Sequence, residues 1–274
     1  MTTPDVAVRA PLAVVWHRSS TALSVVLASA WLQVRGDWHA TNFILGVIQP
    51  SSFLLITALA AEGRGRVDLD DVALGAGLVA LWGATVWASG FILAAERWQG
   101  TLSQLLPRPV GLGVVLWGKT LGATLRSSLL IGASVTVTAA LLGHRIRIAD
   151  PLPFLAALLA VLGSALILGL LVSCLFVLTR SAGRISEAIM YPVFILGGLL
   201  VPLSLLPEWA QTLSAIVSLR WGGELLRAAA AGDAQTGQAW LMLLVTTAAY
   251  GALARFLFHR VLDRVRRDGT LELF

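Results

Sequence analysis

Long apolar runs, separated by short polar breaks, dominate this chain. Each run reaches or exceeds the ~20 residues that a helix needs to cross the hydrocarbon core of a bilayer. Six membrane-spanning helices are predicted, at about residues 41–61, 72–94, 115–142, 151–178, 185–206 and 238–258. The third and fourth runs are longer than necessary, so we expect these helices to tilt or to begin outside the hydrocarbon. The prediction is an all-α polytopic membrane protein, with residues 1–274 in a single transmembrane domain.

The segment 19–38, ahead of the first predicted span, admits two interpretations. Its short apolar run and the motif Ala28-x-Ala30 are typical of a secretory signal with a cleavage site. Alternatively, its apolar residues recur at helical spacing, and Trp31 and Arg35 suit the headgroup level of a bilayer. We favour the second interpretation, an N-terminal helix that lies in the membrane interface.

Composition supports the membrane prediction. The chain is 57% hydrophobic and 13% charged, whereas an ordinary soluble domain is roughly 25% charged. These values exclude a soluble globular enzyme, and the abundance of apolar residues excludes a disordered chain. The single cysteine, Cys174, excludes a disulfide framework and a multi-cysteine metal site.

The placement of the 20 basic residues predicts the orientation in the membrane. Thirteen lie in or beside the N-terminal segment, the second and fourth breaks and the C-terminal segment, six lie in the remaining breaks, and Arg126 belongs to neither set. Because cytoplasmic loops carry the excess of Lys and Arg, both termini are predicted to be cytoplasmic, which requires an even number of spans. The net charge of +5 then indicates contact with anionic membrane lipids rather than with nucleic acid.

Residues 113–120 match the phosphate-binding pattern G-x-x-x-x-G-K-[ST] by sequence alone. A true phosphate-binding loop follows a buried strand, whereas this one follows Leu-Leu-Pro-Arg-Pro and has Val, Val, Leu and Trp at its variable positions. We therefore expect Trp117 and Lys119 to anchor the cytoplasmic start of the third span. The chain itself is predicted not to bind ATP and not to be an enzyme.

The second break contains the segment Glu96-Arg97-Trp98-Gln99-Gly100-Thr101-Leu102. Leu102 and the two leucines that follow it at 105 and 106 give this segment a short apolar face. The residues alone fit two interpretations equally. One is a short cytoplasmic helix that presents a face to a partner, and the other is a solvated turn with interfacial anchors.

The fifth break interrupts a span with two prolines, Pro202 and Pro207, which disrupt helical hydrogen bonding. Trp209 and Trp221 fit an aromatic belt at the outer membrane interface. The segment 219–233 is predicted to be an external helix that ends at Gly232. We therefore expect short external helices between the fifth and sixth spans.

These features, taken in order, resemble the membrane subunit of type-2 ATP-binding-cassette (ABC) exporters over about residues 20–260. The positions that carry the resemblance are Gln49-Pro50 in the first span, the pattern Glu96-x-x-x-Gly100-Thr101-Leu102, Pro107, Gly118-Lys119, Gly198, Pro202, the run Leu206-Pro207-Glu208-Trp209, Arg227 and Gly232. One departure concerns the external cap. Many relatives carry Asn-Pro and a Tyr shortly before the external helix ends, where this chain has Val-Ser-Leu-Arg-Trp at 217–221.

The resemblance implies a coupling helix around 96–106 that docks into an ABC ATPase subunit. The implied complex has two such ATPase subunits, which carry the ATP and magnesium, and a second membrane subunit that is identical or paralogous. It implies that Pro202, Pro207, Trp209 and Trp221 belong to an external cap. It also implies a location in the plasma membrane and outward movement of an amphipathic, drug-like or antibiotic-like molecule. Export of a polysaccharide or lipid-linked glycan is the alternative within this family.

Polar and aromatic residues inside the predicted spans are candidates for a translocation pathway. They are Asn42, Gln49, Trp82, Trp87 and Arg126. Helix packing is the competing explanation for the first four. Arg126 either has a functional role or extends toward the cytoplasmic headgroups, and Glu187 or Glu96 could pair with it.

The residues leave two functions other than transport open. Asp68, Asp70 and Asp71 suggest the metal-diphosphate site of a membrane enzyme that acts on lipid or prenyl substrates, but their spacing differs from the usual Asp-Asp-x-x-Asp. The four histidines are scattered among different segments, so no metal site is predicted. A structural or immunity protein without turnover is the other possibility.

Overall fold

The computed structural model describes residues 12–36, 40–61, 68–99, 112–179, 182–199, 203–233 and 236–268, with side chains described for most of them. Within these ranges the chain is helical and has no strand. The helices are α1 (Leu12–Gly36), α2 (Ala40–Phe43), α3 (Gln49–Ala61), α4 (Leu69–Ala84), α5 (Ile92–Trp98), α6 (Leu112–Leu141), α7 (Pro151–Leu178), α8 (Ala182–Leu196), α9 (Glu208–Ser214), α10 (Ser218–Ala231) and α11 (Gly237–Asp268). Two π-helical segments, Ile44–Ile48 and Thr85–Ser89, and a 3-10 turn, Leu203–Leu205, complete the list.

Four helical stretches in the described part of the chain are long and apolar enough to cross a membrane. They are Leu69–Trp98, Leu112–Leu141, Pro151–Leu178 and Gly237–Asp263. The first predicted span falls on a shorter apolar helix, Ile44–Ala60, and the fifth falls on the 15 residues of α8. The structure thus confirms an all-helical chain with spanning helices, and the total of six spans stays a prediction.

Helix α4 lies at the centre of the packing. Of the most apolar stretch of Leu69–Trp98, 78% is buried, against 17% of the corresponding stretch of Gly237–Asp263. The helix begins where the side chain of Asp68 accepts a hydrogen bond from the Asp70 backbone N–H at 2.9 Å, which is a typical N-cap. α3, α6 and α10 pack around α4. α4 is therefore the element on which these three helices pack.

Close contact between α1 and α6 depends on two glycines spaced by four residues. A Cβ atom at Gly118 would lie 2.5 Å from the Val26 carbonyl oxygen, and one at Gly122 would lie 2.3 Å from the Ala30 carbonyl oxygen. The two backbones therefore approach each other closely, as small-xxx-small pairs allow. Residues 113–120, which match the phosphate-binding pattern, lie inside continuous helix α6 rather than in a loop.

The segment predicted as an interfacial helix is helical throughout its described part. α1 buries Ser29, Ala30 and Gln33, while Leu27 and Trp31 on its other side are more than half exposed. The Arg35 guanidinium lies 4.4 Å from the centre of the Trp31 ring. An apolar outer face flanked by a cation over an aromatic ring suits a helix at a membrane surface.

Candidate functional site

Three helices meet at a set of charged and polar contacts that we call the Glu96 junction. Lys119 on α6 donates a hydrogen bond to the Glu96 carboxylate on α5. The Arg97 guanidinium donates to the Val177 carbonyl oxygen near the end of α7, at 3.2 Å. The Leu93 N–H donates to the Ser173 hydroxyl at 3.1 Å. The junction therefore fixes α5 to both α6 and α7.

Burial and helix ends explain these contacts. Glu96 is 8% exposed, and a carboxylate removed from water needs an opposite charge or hydrogen-bond donors. Val177 lies in the last turn of α7, where carbonyl groups have no partner within the helix and the helix dipole is negative. Arg97 supplies both a donor and a positive charge at this end.

Of the five predicted coupling residues, Glu96 and Arg97 belong to the junction, and Gly100, Thr101 and Leu102 lie outside the described residues. The junction immediately precedes that segment. On the far side of the segment, Leu112 is 5% exposed, and a Cβ atom at Gly113 would lie 3.3 Å from the Phe258 ring of α11. Both ends of the segment therefore start from packed helices.

Arg126 is held against α1. Arg126 is only 4% exposed, and its guanidinium donates a hydrogen bond to the Gln33 carbonyl oxygen at 2.9 Å. Gln33 lies in the last turn of α1, so the cation faces the negative end of the helix dipole. Sequence reasoning offered Glu187, Glu96 or the headgroups as partners. The structure adds a backbone carbonyl, pairs Glu96 with Lys119 and leaves Glu187 exposed.

The other four pathway candidates lie in different surroundings. Trp82 is 6% exposed in the core, whereas Asn42 is half-buried. The Gln49 side-chain oxygen lies 3.2 Å from where a Cβ atom of Gly83 would be, so Gln49 lies against α4. These positions are compatible with helix packing, and the structure does not bring the five candidates into one described cavity.

Trp87 begins an aromatic stack. Its ring stacks on Phe91 with the centroids 5.2 Å apart. Phe91 in turn contacts Phe176 of α7 at 4.9 Å and Trp98 at 6.0 Å. Trp98 is 66% exposed. The stack therefore runs from the half-buried Trp87 to an exposed indole beside the Glu96 junction.

The two tryptophans of the predicted external cap have opposite environments. Trp209 on α9 is 68% exposed, as an interface belt requires. Trp221 is 4% exposed, and its indole N–H donates to the Ala215 carbonyl oxygen at 2.9 Å, so it belongs to the core rather than to a belt. Pro207 forms the N-cap of α9, and Pro202 lies outside the described residues.

A second set of contacts, which we call the Asp70 clasp, joins the start of α4 to the α6–α7 loop and to α10. The Asp70 carboxylate lies 2.8 Å from the His144 Nε2 and accepts the Arg147 backbone N–H at 3.2 Å. Asp71 pairs with Arg227. These aspartates therefore cap a helix, accept hydrogen bonds and pair with Arg227, and no group of three potential metal ligands occurs in the described part of the chain.

A groove between α3 and α6 was not predicted. Its volume is about 460 Å³, and its floor carries three linked hydroxyl groups. The Ser51 and Ser134 oxygens are 2.6 Å apart, and Thr138 donates to Ser51 at 2.9 Å. Ser134 and Thr138 are spaced by four residues and therefore lie on the same face of an apolar helix. This spacing is the sequence signal from which a polar face at the groove could have been predicted.

Comparison with known proteins agrees with this architecture. The model of the ABC-2 type transporter family matches residues 21–230. The chain is also similar to the protein described as "Probable multidrug ABC transporter permease YbhR" from Escherichia coli strain K12 and from strain O157:H7, with 28% identity over 172 residues in each. Each match covers 61% of this chain and 46% of the relative, so the chain spans about half the length of these relatives. Because the family model extends over most of the chain, the protein belongs to the ABC-2 type transporter family.

Proposed function

We propose that this chain is the membrane subunit of an ATP-driven ABC exporter. In this proposal six helices span the plasma membrane, both termini are cytoplasmic, and a second membrane subunit completes the pathway. Two ABC ATPase subunits hold the ATP and magnesium. The observation that carries the proposal is the family match over residues 21–230 of an all-helical chain that contains helices of spanning length.

The Glu96 junction supports a role in coupling. In the proposed mechanism the segment that follows Gln99 docks into an ATPase subunit, and ATP binding there moves it. Glu96 and Arg97 fix the start of this segment to α6 and α7, so a displacement of the segment pulls on both helices. Two helices that move together can switch the access of a pathway from one side of the membrane to the other.

Arg126 extends this proposed linkage to α1. It lies on α6, the same helix as Lys119, and holds the last turn of α1 through the Gln33 carbonyl oxygen. A shift of α6 would therefore carry α1 with it across the glycine contacts. In this proposal Arg126 positions α1 and does not contact the transported molecule.

An amphipathic small molecule is the proposed substrate class. The aromatic stack from Trp87 to Trp98 offers flat apolar faces, one of them exposed, that an aromatic or cationic amphiphile can contact. The name of the two relatives, which refers to multidrug transport, agrees with this class. Outward movement is part of the proposal.

Purification and reconstitution test the proposal. We expect the tagged full-length chain, purified from its native membrane, to carry a subunit with ATP-binding-cassette motifs, identified by mass spectrometry. In liposomes this complex should move a fluorescent cationic amphiphile only when ATP is supplied on the ATPase side. Trp98→Ala should weaken this transport by roughly 5-fold to 10-fold, since exposed aromatic contacts contribute about 1 kcal/mol.

Trp209→Ala is the matched control, because this indole is equally exposed but lies outside the aromatic stack. It should leave the rate unchanged. ATP hydrolysis by the chain alone, or transport that does not depend on ATP, would contradict the proposal.

A further inference from the structure

A small cavity lies between α4, α7, α10 and α11. Residues from all four helices line it, and every lining residue is less than one-tenth exposed. The space available to the centre of a water molecule is about 20 Å³. A cavity needs roughly 10–15 Å³ by this measure to hold one water molecule, so there is room for one and not for a cluster.

Two of the lining side chains have polar atoms that lack partners in the described part of the chain. They are the indole Nε1 of Trp82, in α4, and the hydroxyl of Ser164, in α7. Trp82 is 6% exposed and Ser164 is 3% exposed. Buried polar atoms are nearly always hydrogen-bonded, and two such atoms at one cavity point to a shared partner.

A third lining residue can also take part. The Thr85 hydroxyl donates its hydrogen to the Leu81 carbonyl oxygen at 2.8 Å, which leaves the lone pairs of its oxygen free to accept. The cavity therefore offers one obligatory donor, Trp82, one acceptor, Thr85, and one group that can do both, Ser164. A bound water typically makes about three hydrogen bonds, which this set can supply.

We propose that this cavity binds a single ordered water molecule that bridges Trp82 to Ser164. The water oxygen accepts the indole N–H, and its two hydrogens are donated to the Ser164 and Thr85 oxygens. Purely apolar cavities stay empty, because water gains no hydrogen bonds in them, but the lining of this one includes the polar side chains of Trp82, Thr85 and Ser164.

The water would join α4 to α7 beside the start of α10. Ser218, the first residue of α10, lines the same cavity. Its backbone N–H donates to the Tyr250 hydroxyl at 3.3 Å, and that hydroxyl donates to the Ile216 carbonyl oxygen at 2.6 Å. The bridge therefore lies next to the point where α10 is fixed to α11, and it stabilises the packing of four helices.

Electron cryo-microscopy of the full-length chain, in its complex if one forms, tests the proposal at a resolution that shows ordered water. The expected result is one density peak within about 3 Å of both the Trp82 Nε1 and the Ser164 oxygen. An empty cavity, or a direct hydrogen bond between Trp82 and Ser164, would overturn it.

Ultraviolet resonance Raman spectroscopy gives a second test that needs no map. The difference spectrum between the full-length chain and Trp82→Phe isolates one indole, and we expect its N–H to be hydrogen-bonded. Ser164→Val removes the hydroxyl and fills the cavity, so the same indole N–H should become free.

Ser128→Val is the matched control, because the Ser128 hydroxyl donates to the Thr124 carbonyl oxygen within α6. A free N–H in the unmodified chain, or one that Ser164→Val leaves bonded, would refute the water bridge.

Discussion

The Glu96 junction and the Asp70 clasp both use charged side chains to connect elements that are distant in the sequence, but the two sets of side chains differ in exposure. In the junction, Glu96 is almost completely buried, and Arg97 binds a carbonyl at a helix end. In the clasp, the side chains of Asp70 and His144 are 25% and 29% exposed, and that of Asp71 is 54% exposed. Water competes for the charges of the clasp and is excluded from the carboxylate of the junction.

This difference in exposure separates charges that hold helices together from charges that only orient a loop. Breaking a buried pair strands a charge away from water and costs about 3–5 kcal/mol, whereas an exposed pair contributes at most about 1 kcal/mol. We therefore expect substitutions at the junction to alter both stability and coupling. Substitutions at the clasp should leave coupling intact.

The largest effect is expected at the glycine contact beside the junction. In Gly122→Ala, the new Cβ would lie 2.3 Å from the Ala30 carbonyl oxygen, so α1 must move away from α6. We expect a loss of about 3 kcal/mol or more, measured as a lower thermal unfolding midpoint in detergent. Gly132→Ala on the same helix is the control, since nothing lies within 4 Å of its Cβ position. Equal midpoints for the two variants would show that α1 does not rest on α6.

A smaller effect is expected from Glu96→Gln, which leaves the Lys119 ammonium without its carboxylate. Because the Lys119 side chain is 28% exposed, water compensates in part, and we expect a loss of about 2 kcal/mol. Substrate-stimulated ATP hydrolysis in the reconstituted complex should fall as well. The charge-exchanged double variant Glu96→Lys with Lys119→Glu should recover part of both. If Glu96→Gln behaved like the unmodified complex, the junction would have no role in coupling.

Arg126→Met tests how Arg126 holds the end of α1. Methionine can fill much of the space but cannot donate to the Gln33 carbonyl oxygen, so we expect a loss of about 1–2 kcal/mol. Protease accessibility of α1 should increase in parallel, which limited proteolysis with mass spectrometry can measure. Arg126→Lys keeps a hydrogen-bond donor, so its stability and its protease accessibility should lie between those of the unmodified chain and those of Arg126→Met. An unchanged cleavage pattern in Arg126→Met would argue against the contact with α1.

The smallest effect is expected at the clasp. Asp71→Asn removes the charge partner of Arg227, and since Asp71 is mostly exposed the loss should not exceed about 1 kcal/mol. It should shrink further in high salt, because exposed charges are screened. Chemical denaturation at two salt concentrations measures the loss of stability and its dependence on salt. A larger loss that is independent of salt would mean that the clasp resembles the junction.

Much of the helical structure could be predicted from the sequence, because long apolar runs in a chain with few charges favour membrane helices, in which the backbone polar groups bond within the helix. The segment predicted as an interfacial helix is helical in α1, and the segment predicted as an external helix is helical in α10, which ends at Gly232 with a positive φ of 76°. Their placement relative to the membrane stays a prediction. Helix starts and ends depend on local chemistry, and local chemistry is visible in a sequence.

The partners across helices could not be predicted in the same way. Arg126 binds a backbone carbonyl, which carries no sequence signal, and Trp221 is buried because α10 folds back onto the core. Gly118 matches a phosphate-loop pattern together with Lys119, but its spacing from Gly122, four residues later, is the signal of a close helix contact.

The π-helical segment Thr85–Ser89 has a consequence for the evolution of this chain. A π turn contains one residue more than an α-helical turn, and each residue rotates an α helix by about 100°. Deleting one residue there would therefore leave an ordinary α turn, and Phe91 and Glu96 would keep their directions toward α7 and α6. Single-residue deletions should be tolerated better at this turn than in the α-helical parts of Leu69–Trp98, where each would rotate the residues that follow it.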